Sequence, residues 1–477
     1  MNTITKNRFF YFSMMIICIF LMFVAFHFEG TGGGGDSISH FLFAKYAANH
    51  PENFFDHWAK PIYTILAFPF TKMGFLGIKL FNILMSLVSC YFGYKVLTKL
   101  KTKNSEYYAI ILFSITLFVN VTLSGLTEPL SAAMLIGSIY LILNKKYAWG
   151  LSIISFLPFV RSEGLIILGV FFIYLILTKR LKFIPLLATG HIVMSIIGSF
   201  FYHDLFWVFN KIPYAHMASV YGKGTWLHFA EQLFFQMGIV EYSLLILGGV
   251  AMIISIYKKE NESKYHKEKL WLVYGCFVSF FIAHSSFWAL GIFNSMGLSR
   301  VFVFVMPLMA IIVLDGLNFI EVLSSWWNKQ MSTYIKYTLV ILILLFPFLS
   351  TPSSYKIPDD FELTSTQKTI KYKLVPYLNK YKKNKLIVLS DMDITYFYNL
   401  DPFDKKKCKL YYDIPNFNRL DSNEVVIWDN WFAQVEFNVP LEKLLENKSL
   451  KLDTSIIDKD NKGRNIQFVV FSKSKTL

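Results

Sequence analysis

Long apolar runs joined by short polar connections make up the first 350 residues of the chain. Runs of roughly 18 or more residues are long enough to cross the hydrocarbon core of a bilayer, which is about 30 Å thick. Most of them lack the polar stripe, recurring about every 3.6 residues, that a surface helix of a soluble protein shows. We therefore predict about eleven membrane-spanning helices, at residues 9–26, 75–94, 107–124, 129–143, 147–160, 164–178, 183–201, 238–257, 270–289, 301–320 and 334–349.

Basic residues are concentrated in alternate connections between these runs. Lys6 and Arg8 precede the first run, and further clusters lie at residues 95–103, 145–146, 179–182, 258–269 and 329–336. Loops rich in lysine and arginine stay on the cytoplasmic side. We therefore expect a multi-pass protein of the plasma (inner) membrane with a cytoplasmic N-terminus and an extracytoplasmic C-terminal domain.

Composition excludes a soluble enzyme and argues against nucleic acid as a partner. Hydrophobic residues make up 54% of the chain and the mean hydropathy is +0.44, both outside the range of soluble proteins. The net charge of +15 comes from short clusters between apolar runs, without a continuous basic face. Three of the four cysteines lie inside apolar runs, so no disulfide framework or zinc-ligand spacing is present.

A polar segment follows the apolar part. A linker rich in serine and proline at residues 350–354 separates residues 1–350 from residues 351–477. Strand-like patterns at residues 385–390, 424–428 and 466–471 alternate with helix-like patterns at residues 364–381 and 439–446. The fold class is therefore mainly α, polytopic and transmembrane, with a small C-terminal α/β or α+β domain.

Two short motifs in this C-terminal domain have a structural interpretation. Asp391-Met392-Asp393 has the form of a DxD metal motif, but nucleotide-sugar donors are absent outside the cell. We therefore interpret it as a strand-to-helix cap. The aromatic stretch from Trp428 to Phe432 is expected to pack against the membrane domain.

The first outer loop, residues 27–73, holds the densest cluster of candidate functional residues. A run of four glycines precedes Asp36 and gives the backbone freedom to turn at the membrane surface. Asp36 and His40 are four positions apart, so a helix beginning near Ser37 would place both on one side. A helix cap is the structural alternative for Asp36, and it is compatible with a catalytic role.

Further along the same loop are Asp56, His57 and the Lys60-Pro61 pair, which begins a predicted re-entrant or interfacial helix. A divalent metal bound by these acidic and histidine side chains together with Asp36 and His40 is an alternative that their spacing leaves open. No other cofactor is indicated.

Three basic residues lie at predicted outer boundaries, where topological sorting disfavours them: Lys60, Arg161 and Arg300. An anionic ligand would explain their position. Extension of the side chains toward the outer headgroups is the alternative. Glu128 could pair with one of them or bind a sugar.

Several short motifs occur in an order that resembles the GT-C glycosyltransferases. They are Trp58-Ala59-Lys60-Pro61, Thr127-Glu128-Pro129-Leu130 and the segment from Phe159 to Gly164. They look like elements of the O-mannosyltransferase, aminoarabinose transferase and GPI-type mannosyltransferase branches, and the resemblance covers about 350 residues in order and topology. The chain departs from the family where paired acidic residues are common, because Ser37 follows Asp36.

The resemblance implies a membrane enzyme that moves a sugar from a polyprenyl-phosphate or polyprenyl-diphosphate donor to a glycan, lipid or protein acceptor on the extracytoplasmic face. Asp36 would be the general base of an inverting displacement, and Lys60, Arg161 and Arg300 would bind the donor phosphate. Sugar or acceptor binding would fall to His40, Asp56, His57, Glu128, Tyr221 and Lys223. An interfacial aromatic belt is the alternative for Tyr221 and its neighbours.

Two other functions fit parts of the sequence. A transporter or flippase of lipid-linked glycans would favour inverted repeats, broken helices and charges in mid-membrane. A non-catalytic assembly factor for envelope polysaccharides would tolerate the loss of Asp36.

Overall fold

A computed structural model describes residues 3–32, 34–212, 219, 221–258, 265–349, 354–357, 359–383, 385–388, 391–410 and 420–474. Most of these residues are helical. The helices of the apolar part are α1 (Thr3–His27), α2 (Gly34–Tyr46), α3 (Pro61–Ala67), α4 (Gly74–Lys99), α5 (Tyr108–Ser114), α6 (Thr116–Thr122), α7 (Glu128–Leu143), α8 (Tyr147–Ser155), α9 (Gly164–Leu177), α10 (Thr189–Tyr202), α11 (Trp207–Asn210), α12 (His228–Tyr257), α13 (His266–Glu268), α14 (Cys276–Leu290), α15 (Met306–Ser325) and α16 (Lys329–Leu345).

Shorter 3-10 segments and one π-helical segment connect or extend these helices. The 3-10 segments are Pro51–Phe55, Phe68–Met73, Ser105–Tyr107, Leu157–Phe159, Leu181–Ala188, Ser299–Phe304 and Phe346–Phe348, and the π segment is Lys269–Gly275. The core of the bundle includes the contact of α12 with α15 and that of α4 with α7.

Among the described residues, seven helices are long and apolar enough to cross a membrane, or eight if one bent pair counts as a single span. The predicted number of about eleven is therefore not confirmed. The runs predicted at residues 129–143, 147–160 and 164–178 do form apolar helices, Glu128–Leu143, Tyr147–Phe159 and Gly164–Leu177, but each has only 10–17 residues. A helix needs about 20 residues to span the hydrocarbon core.

Large apolar side chains cover the outside of the helical bundle. Phe23 on α1 is 60% exposed, Phe200 on α10 is 76% exposed and Ile253 on α12 is 65% exposed. Exposed apolar surface on this scale is unfavourable in water and matches the surroundings that lipid provides. The chain is an integral membrane protein.

Two helices of the bundle are interrupted. The single helix predicted at residues 107–124 is broken into α5 and α6, which meet at 74° because Ile115 is extended. The helix α12 begins ten residues before the predicted position 238 and bends at Gly238, where φ is 71°. Ser114 Oγ, at the end of α5, lies 2.6 Å from Oε1 of Glu241, whose side chain is buried between the two interrupted helices.

The C-terminal domain contains a mixed five-stranded sheet in the order β2-β1-β3-β5-β4. The strands β1 (Lys385–Val388), β2 (Cys408–Leu410) and β3 (Glu424–Asp429) are parallel, whereas β4 (Leu450–Lys459) and β5 (Asn465–Lys473) form an antiparallel hairpin that joins the sheet through β3. Every residue of β3 is buried, as expected for a strand covered on both faces.

Short helices cover the sheet. They are α17 (Ser365–Thr369), α18 (Val375–Leu378), α19 (Met392–Phe397) and α20 (Leu441–Leu445), with π segments at Ile370–Leu374 and Phe432–Glu436 and a 3-10 turn at Asn379–Tyr381. The predicted strands and helices of this domain are confirmed as element types. The strands β2 and β4 were not predicted. Most of the predicted linker, residues 350–353, lies outside the described residues, so the domain boundary stays a prediction.

The C-terminal domain lies directly on the first loop. The backbone N–H of Gly30 donates to the carbonyl of Phe361 at 2.8 Å, and the side chain of Gln367 donates to Thr31 Oγ1 at 3.0 Å. Further along, α19 packs on α2, and His50 Nε2 lies 3.0 Å from an Asp401 carboxylate oxygen. The domain thus covers the loop in which the candidate residues are concentrated.

Candidate active site

The first turn of α2 positions Asp36 at the outer end of the bundle. The next residue, Ser37, accepts a hydrogen bond from the backbone N–H of Gly125 through its side-chain oxygen at 3.1 Å. A side chain at position 125 would come within 2.4 Å of the Ser37 carbonyl oxygen, so only glycine allows this close approach. The turn before α7 therefore holds the start of α2 in place.

Asp36 forms an ion pair with Arg300, which lies in the Ser299–Phe304 segment before α15. The two residues are 264 positions apart in the sequence. The Asp36 side chain is 44% exposed, whereas that of Arg300 is 21% exposed. The Asp36 carboxylate is therefore accessible to solvent.

Arg161 lies between two carboxylates. Its guanidinium is 2.7 Å from Glu128 Oε1 and 2.7 Å from Glu163 Oε1. Burial alone would lower the pKa of Arg161, but the two carboxylates outweigh burial and raise it. Burial would likewise raise the pKa of Glu163, but Arg161 holds it at about 2. Arg161 and Glu163 are therefore both ionised at physiological pH.

A tight turn presents Lys60 to the same region. Asp56 Oδ1 accepts hydrogen bonds from the backbone N–H groups of Trp58 and Ala59 at 2.8 and 2.9 Å, and Lys60 adopts a left-handed backbone conformation with φ 67°. The ammonium of Lys60 donates to Ser162 Oγ at 3.2 Å, in the turn that carries Arg161. Burial lowers the pKa of Lys60 to about 8, with Glu163 partly offsetting the effect.

His40 lies at the centre of the charged residues. Its ring stacks on Trp58 with 5.0 Å between ring centroids, and its buried Nδ1 has no hydrogen-bond partner within the described part of the chain. Burial lowers the pKa of His40 to about 3, so the ring is neutral. Its charge state responds to four side chains around it, namely Asp36, Lys60, Arg161 and Arg300.

The structure thus brings together Asp36, His40, Lys60, Glu128, Arg161 and Arg300 from five separate segments of the chain. The other predicted residues lie outside this group or stabilise the backbone next to it. Asp56 stabilises the turn before Lys60. The ring of His57 packs against Trp207 and Phe159, and burial lowers its pKa to about 4. Lys223 is exposed on a loop next to Gly291.

Tyr221 is connected to the site by a hydrogen bond to a residue of the C-terminal domain. Its hydroxyl donates to Glu436 Oε1 at 3.0 Å. Glu436 lies in the Phe432–Glu436 segment and is close enough to Asp36 to interact with it electrostatically. Glu436 could not be predicted as a site residue, because no spacing along the sequence relates the C-terminal domain to the first loop.

Two further residues of the site were not proposed from the sequence. Glu163 occurs in the same turn as Arg161, so the short spacing was a usable signal. His284 on α14 is buried and interacts electrostatically with Glu163 and Arg161. A single histidine inside an apolar run carries no such signal.

The metal alternative gains no support. Within the described ranges, no group of three or more histidine, cysteine, aspartate or glutamate side chains is arranged to hold a metal ion. The Asp391-Met392-Asp393 motif is a helix cap, as predicted, because Asp391 Oδ1 accepts from the Asp393 N–H at 2.8 Å at the start of α19.

Comparison with known proteins gives a match at the level of structure. No family model matches the sequence, and no curated protein matches it. Two crystal structures of ArnT from Cupriavidus metallidurans are similar at 10% sequence identity over 96% of this chain and 97% of the ArnT chain. The TM-score is 0.58 for the apo structure and 0.56 for the structure bound to undecaprenyl phosphate.

ArnT is an aminoarabinose transferase with the GT-C fold. At 10% identity the similarity establishes the fold. The expected GT-C-like architecture, a polytopic helical domain followed by a small domain with a sheet, is confirmed.

Proposed function

We propose that the protein is a membrane glycosyltransferase that transfers a sugar from a polyprenyl-phosphate-linked donor to an acceptor hydroxyl at the extracytoplasmic face. The observation that carries this proposal is the convergence of Asp36 with Lys60, Arg161 and Arg300 at one end of an ArnT-like fold. A partly exposed carboxylate beside three cations suits a reaction in which an anionic group leaves. The binding of undecaprenyl phosphate by ArnT supports a lipid carrier.

Asp36 is the best placed general base among the carboxylates of the site. A base must be able to reach the proton that it accepts, and its pKa must not be far below the working pH. Glu163 fails the second condition, since Arg161 holds its pKa at about 2. Glu128 is fully buried against Arg161. Asp36 is 44% exposed and, among the residues that the structure describes, forms an ion pair with Arg300.

The donor phosphate would bind to Lys60 and Arg300, with Arg161 adding positive charge from behind. Three cations face three carboxylates, and Lys60 donates to the Ser162 hydroxyl whereas Arg300 pairs with Asp36. A phosphate that contacts both Lys60 and Arg300 must therefore displace a carboxylate from Arg300. Asp36 is the most exposed of the three and is therefore the one that can leave. Phosphate binding at Arg300 would then free Asp36 to accept a proton.

In the proposed step, the acceptor oxygen attacks the anomeric carbon from the side opposite the phosphate. The new bond joins the anomeric carbon to the acceptor oxygen, and the bond between the anomeric carbon and the phosphate oxygen breaks. The electron pair leaves with the polyprenyl phosphate, and the acceptor proton moves to Asp36. A single displacement of this kind inverts the anomeric configuration.

The test is transfer activity in proteoliposomes supplied with a panel of polyprenyl-phosphate sugars. We expect Asp36→Asn to lower transfer about 100-fold or more, since general bases contribute at least that much. The matched control is Asp56→Asn, in the same loop, because an asparagine oxygen can still accept the N–H bonds of Trp58 and Ala59. Transfer by Asp36→Asn at the wild-type rate would remove this residue from the mechanism.

One observation favours the transporter instead. The broken pair α5 and α6, the bend at Gly238 and the carboxyl of Glu241, which is buried within a candidate span, match the interrupted helices and intramembrane charge expected of that class. The same proteoliposomes distinguish the two functions. Movement of the lipid-linked sugar across the bilayer without transfer to any acceptor would support transport and contradict the enzyme proposal.

A further inference from the structure

The C-terminal domain contributes a wall to the candidate site. Its Phe432–Glu436 segment follows directly after β3 and lies against the first turn of α2. A Cβ atom at Gly35 would lie 3.1 Å from Cζ of Phe432, so the phenyl ring lies against the backbone just before Asp36. The absence of a side chain at position 35 allows this approach.

Asp429 fixes the conformation of this segment. Its Oδ1 accepts hydrogen bonds from the N–H groups of Trp431 and Phe432 at 2.9 and 2.6 Å, and its Oδ2 accepts from Ala433 at 3.3 Å. The three bonds hold the chain in a tight turn at the end of a fully buried strand. The position of Phe432 is therefore set by the sheet of the C-terminal domain.

Glu436 lies at the other end of the segment and is partly buried. Tyr221 donates to its Oε1 at 3.0 Å from a loop of the membrane domain. Burial raises the pKa of Glu436, the hydrogen bond from Tyr221 lowers it, and the charge of Asp36 raises it, so the two carboxylates are near each other. An ionised carboxylate offers about four acceptor positions, and Tyr221 uses one of them.

We propose that Phe432 and Glu436 are specificity-determining residues that bind a sugar ring beside Asp36. The phenyl ring covers the apolar face of the sugar, while the Glu436 carboxylate accepts hydrogen bonds from its hydroxyl groups. Tyr221 is a positioning residue that holds Glu436 toward the site. A few placed polar groups on an apolar wall are the usual means by which a pocket orients its ligand.

This inference rests on the proposed glycosyltransferase function and deepens it. The sugar has two sources, the lipid-linked donor and a glycan acceptor, and both present the same chemistry. The cations near Lys60 explain recognition of the phosphate but not recognition of the sugar. The phenyl ring of Phe432 is uncharged and the carboxylate of Glu436 is negative, so neither side chain attracts a phosphate.

The test compares binding of undecaprenyl phosphate with binding of the same lipid carrying mannose, glucose, galactose or arabinose, in nanodiscs that contain the full-length protein. Methyl glycosides of the four sugars serve as the acceptor-like probe. The variants are Phe432→Ala and Glu436→Gln, with Gln434→Ala as the matched control, because Gln434 is exposed in the same segment. Thermal unfolding verifies that each variant is folded.

We expect the wild type to bind at least one sugar-bearing lipid about tenfold more tightly than undecaprenyl phosphate, the scale of one hydrogen bond to a charged group. Phe432→Ala and Glu436→Gln should remove this preference and leave the affinity for undecaprenyl phosphate unchanged, whereas Gln434→Ala should keep the preference. If only methyl glycoside binding is lost, the wall recognises the acceptor.

The inference is overturned if the variants match the wild type for every sugar-bearing lipid and every methyl glycoside, or if the wild type binds none of them better than its sugar-free counterpart. Failure of the proposed function has a different signature. In that case Lys60→Ala leaves the affinity for undecaprenyl phosphate unchanged, whatever the sugar measurements show.

Discussion

At the scale of single residues, the candidate site is a set of charges that compensate one another. Arg161 forms ion pairs with two carboxylates, and Arg300 forms one with Asp36. Among the contacts described, the hydrogen-bond partner of Lys60 is a hydroxyl group. Lys60 is also the cation that loses its proton most easily, since burial lowers its pKa to about 8. Its protonation state should therefore limit the binding of an anionic donor.

The predicted consequence is a loss of catalytic efficiency in mild alkali. A lysine is charged below its pKa, so phosphate binding by Lys60 should be complete below about pH 7 and should decline as the pH rises through about 8. We expect kcat/KM, which reports the free enzyme, to fall about tenfold per pH unit above that point. Lys60→Arg should keep kcat/KM constant to about pH 10, because a guanidinium stays protonated.

The control for this prediction is Lys223→Arg, which exchanges an exposed lysine. It should leave the pH profile of the wild type in place. A Lys60→Arg profile that declines at the same pH as the wild type would show that another group titrates.

The sequence identifies individual residues of the site, but it does not show which cation contacts which carboxylate. Lys60, Arg161 and Arg300 stand out in the sequence because positive charge is disfavoured at an outer boundary. Which carboxylate each of them contacts depends on tertiary structure, as the pairing of Arg300 with Asp36 across 264 positions shows. The local role of Asp56 was missed because an Asx turn and a metal ligand use the same side chain.

At the scale of elements, the sequence predicts helix type well and helix continuity poorly. Hydrophobic periodicity treats residues 107–124 as one run, but Ile115 is extended and the run breaks. The break depends on tertiary contacts such as that between Ser114 and Glu241. The short strand β2 was missed because three residues carry too little pattern. The strand β4 was missed because most of its residues are polar and only the first is buried, so its sequence has no clear alternation of apolar and polar positions.

The helix α19 offers a test of an element through its cap. Asp391 caps α19, and burial raises its pKa well above the usual value, with Asp393 and Asp429 adding to the effect. A carboxyl with a raised pKa binds its proton more tightly in the folded state, so its ionisation at higher pH lowers the free energy of unfolding. Asp391→Asn keeps the capping oxygen and removes the charge.

We therefore expect Asp391→Asn to raise the melting temperature of the full-length protein in detergent, by an amount that is larger at pH 8 than at pH 5. Asp391→Ala loses the cap and should lower the free energy of unfolding by about 1 kcal/mol relative to Asp391→Asn. Equal melting temperatures for the two variants at pH 8 would contradict a capping role.

At the scale of the whole molecule, the predicted topology sets the face at which the chemistry takes place. The alternation of basic connections predicts that the C-terminal domain is outside and the connection at residues 145–146 is inside. The C-terminal domain lies on the first loop, so the site and this domain are at the same end of the bundle and the topology predicts that both are outside.

Labelling of introduced cysteines measures the orientation. Lys462 lies in the exposed turn between β4 and β5, and Lys145 lies in an exposed connection after α7. We expect Lys462→Cys to react with a membrane-impermeant thiol reagent in intact cells, and Lys145→Cys to react only after permeabilisation. The parent protein is the background control, since Cys90, Cys276 and Cys408 are buried. The opposite pattern would place the site in the cytoplasm.

The placement of the C-terminal domain on the first loop could not be predicted from the sequence. The contact between Gln367 and Thr31 joins positions 336 residues apart, and no pattern along the chain relates them. The sequence predicts that the aromatic stretch from Trp428 to Phe432 packs against the membrane domain, and this is confirmed for Phe432, which lies against Gly35. It is wrong for Trp428, whose indole is buried in the core of the C-terminal domain and donates to the Val439 carbonyl.

The contacts that join the first loop to later parts of the chain have a consequence for how the protein is made. Asp36 is synthesised 264 residues before Arg300, and Thr31 is synthesised 336 residues before Gln367. While the later helices are still being inserted, the first loop has neither its ion-pair partner nor its cover. The site therefore matures only after Gln367 has been synthesised, and a polypeptide interrupted before that point is expected to be inert even when most of its helices have entered the bilayer.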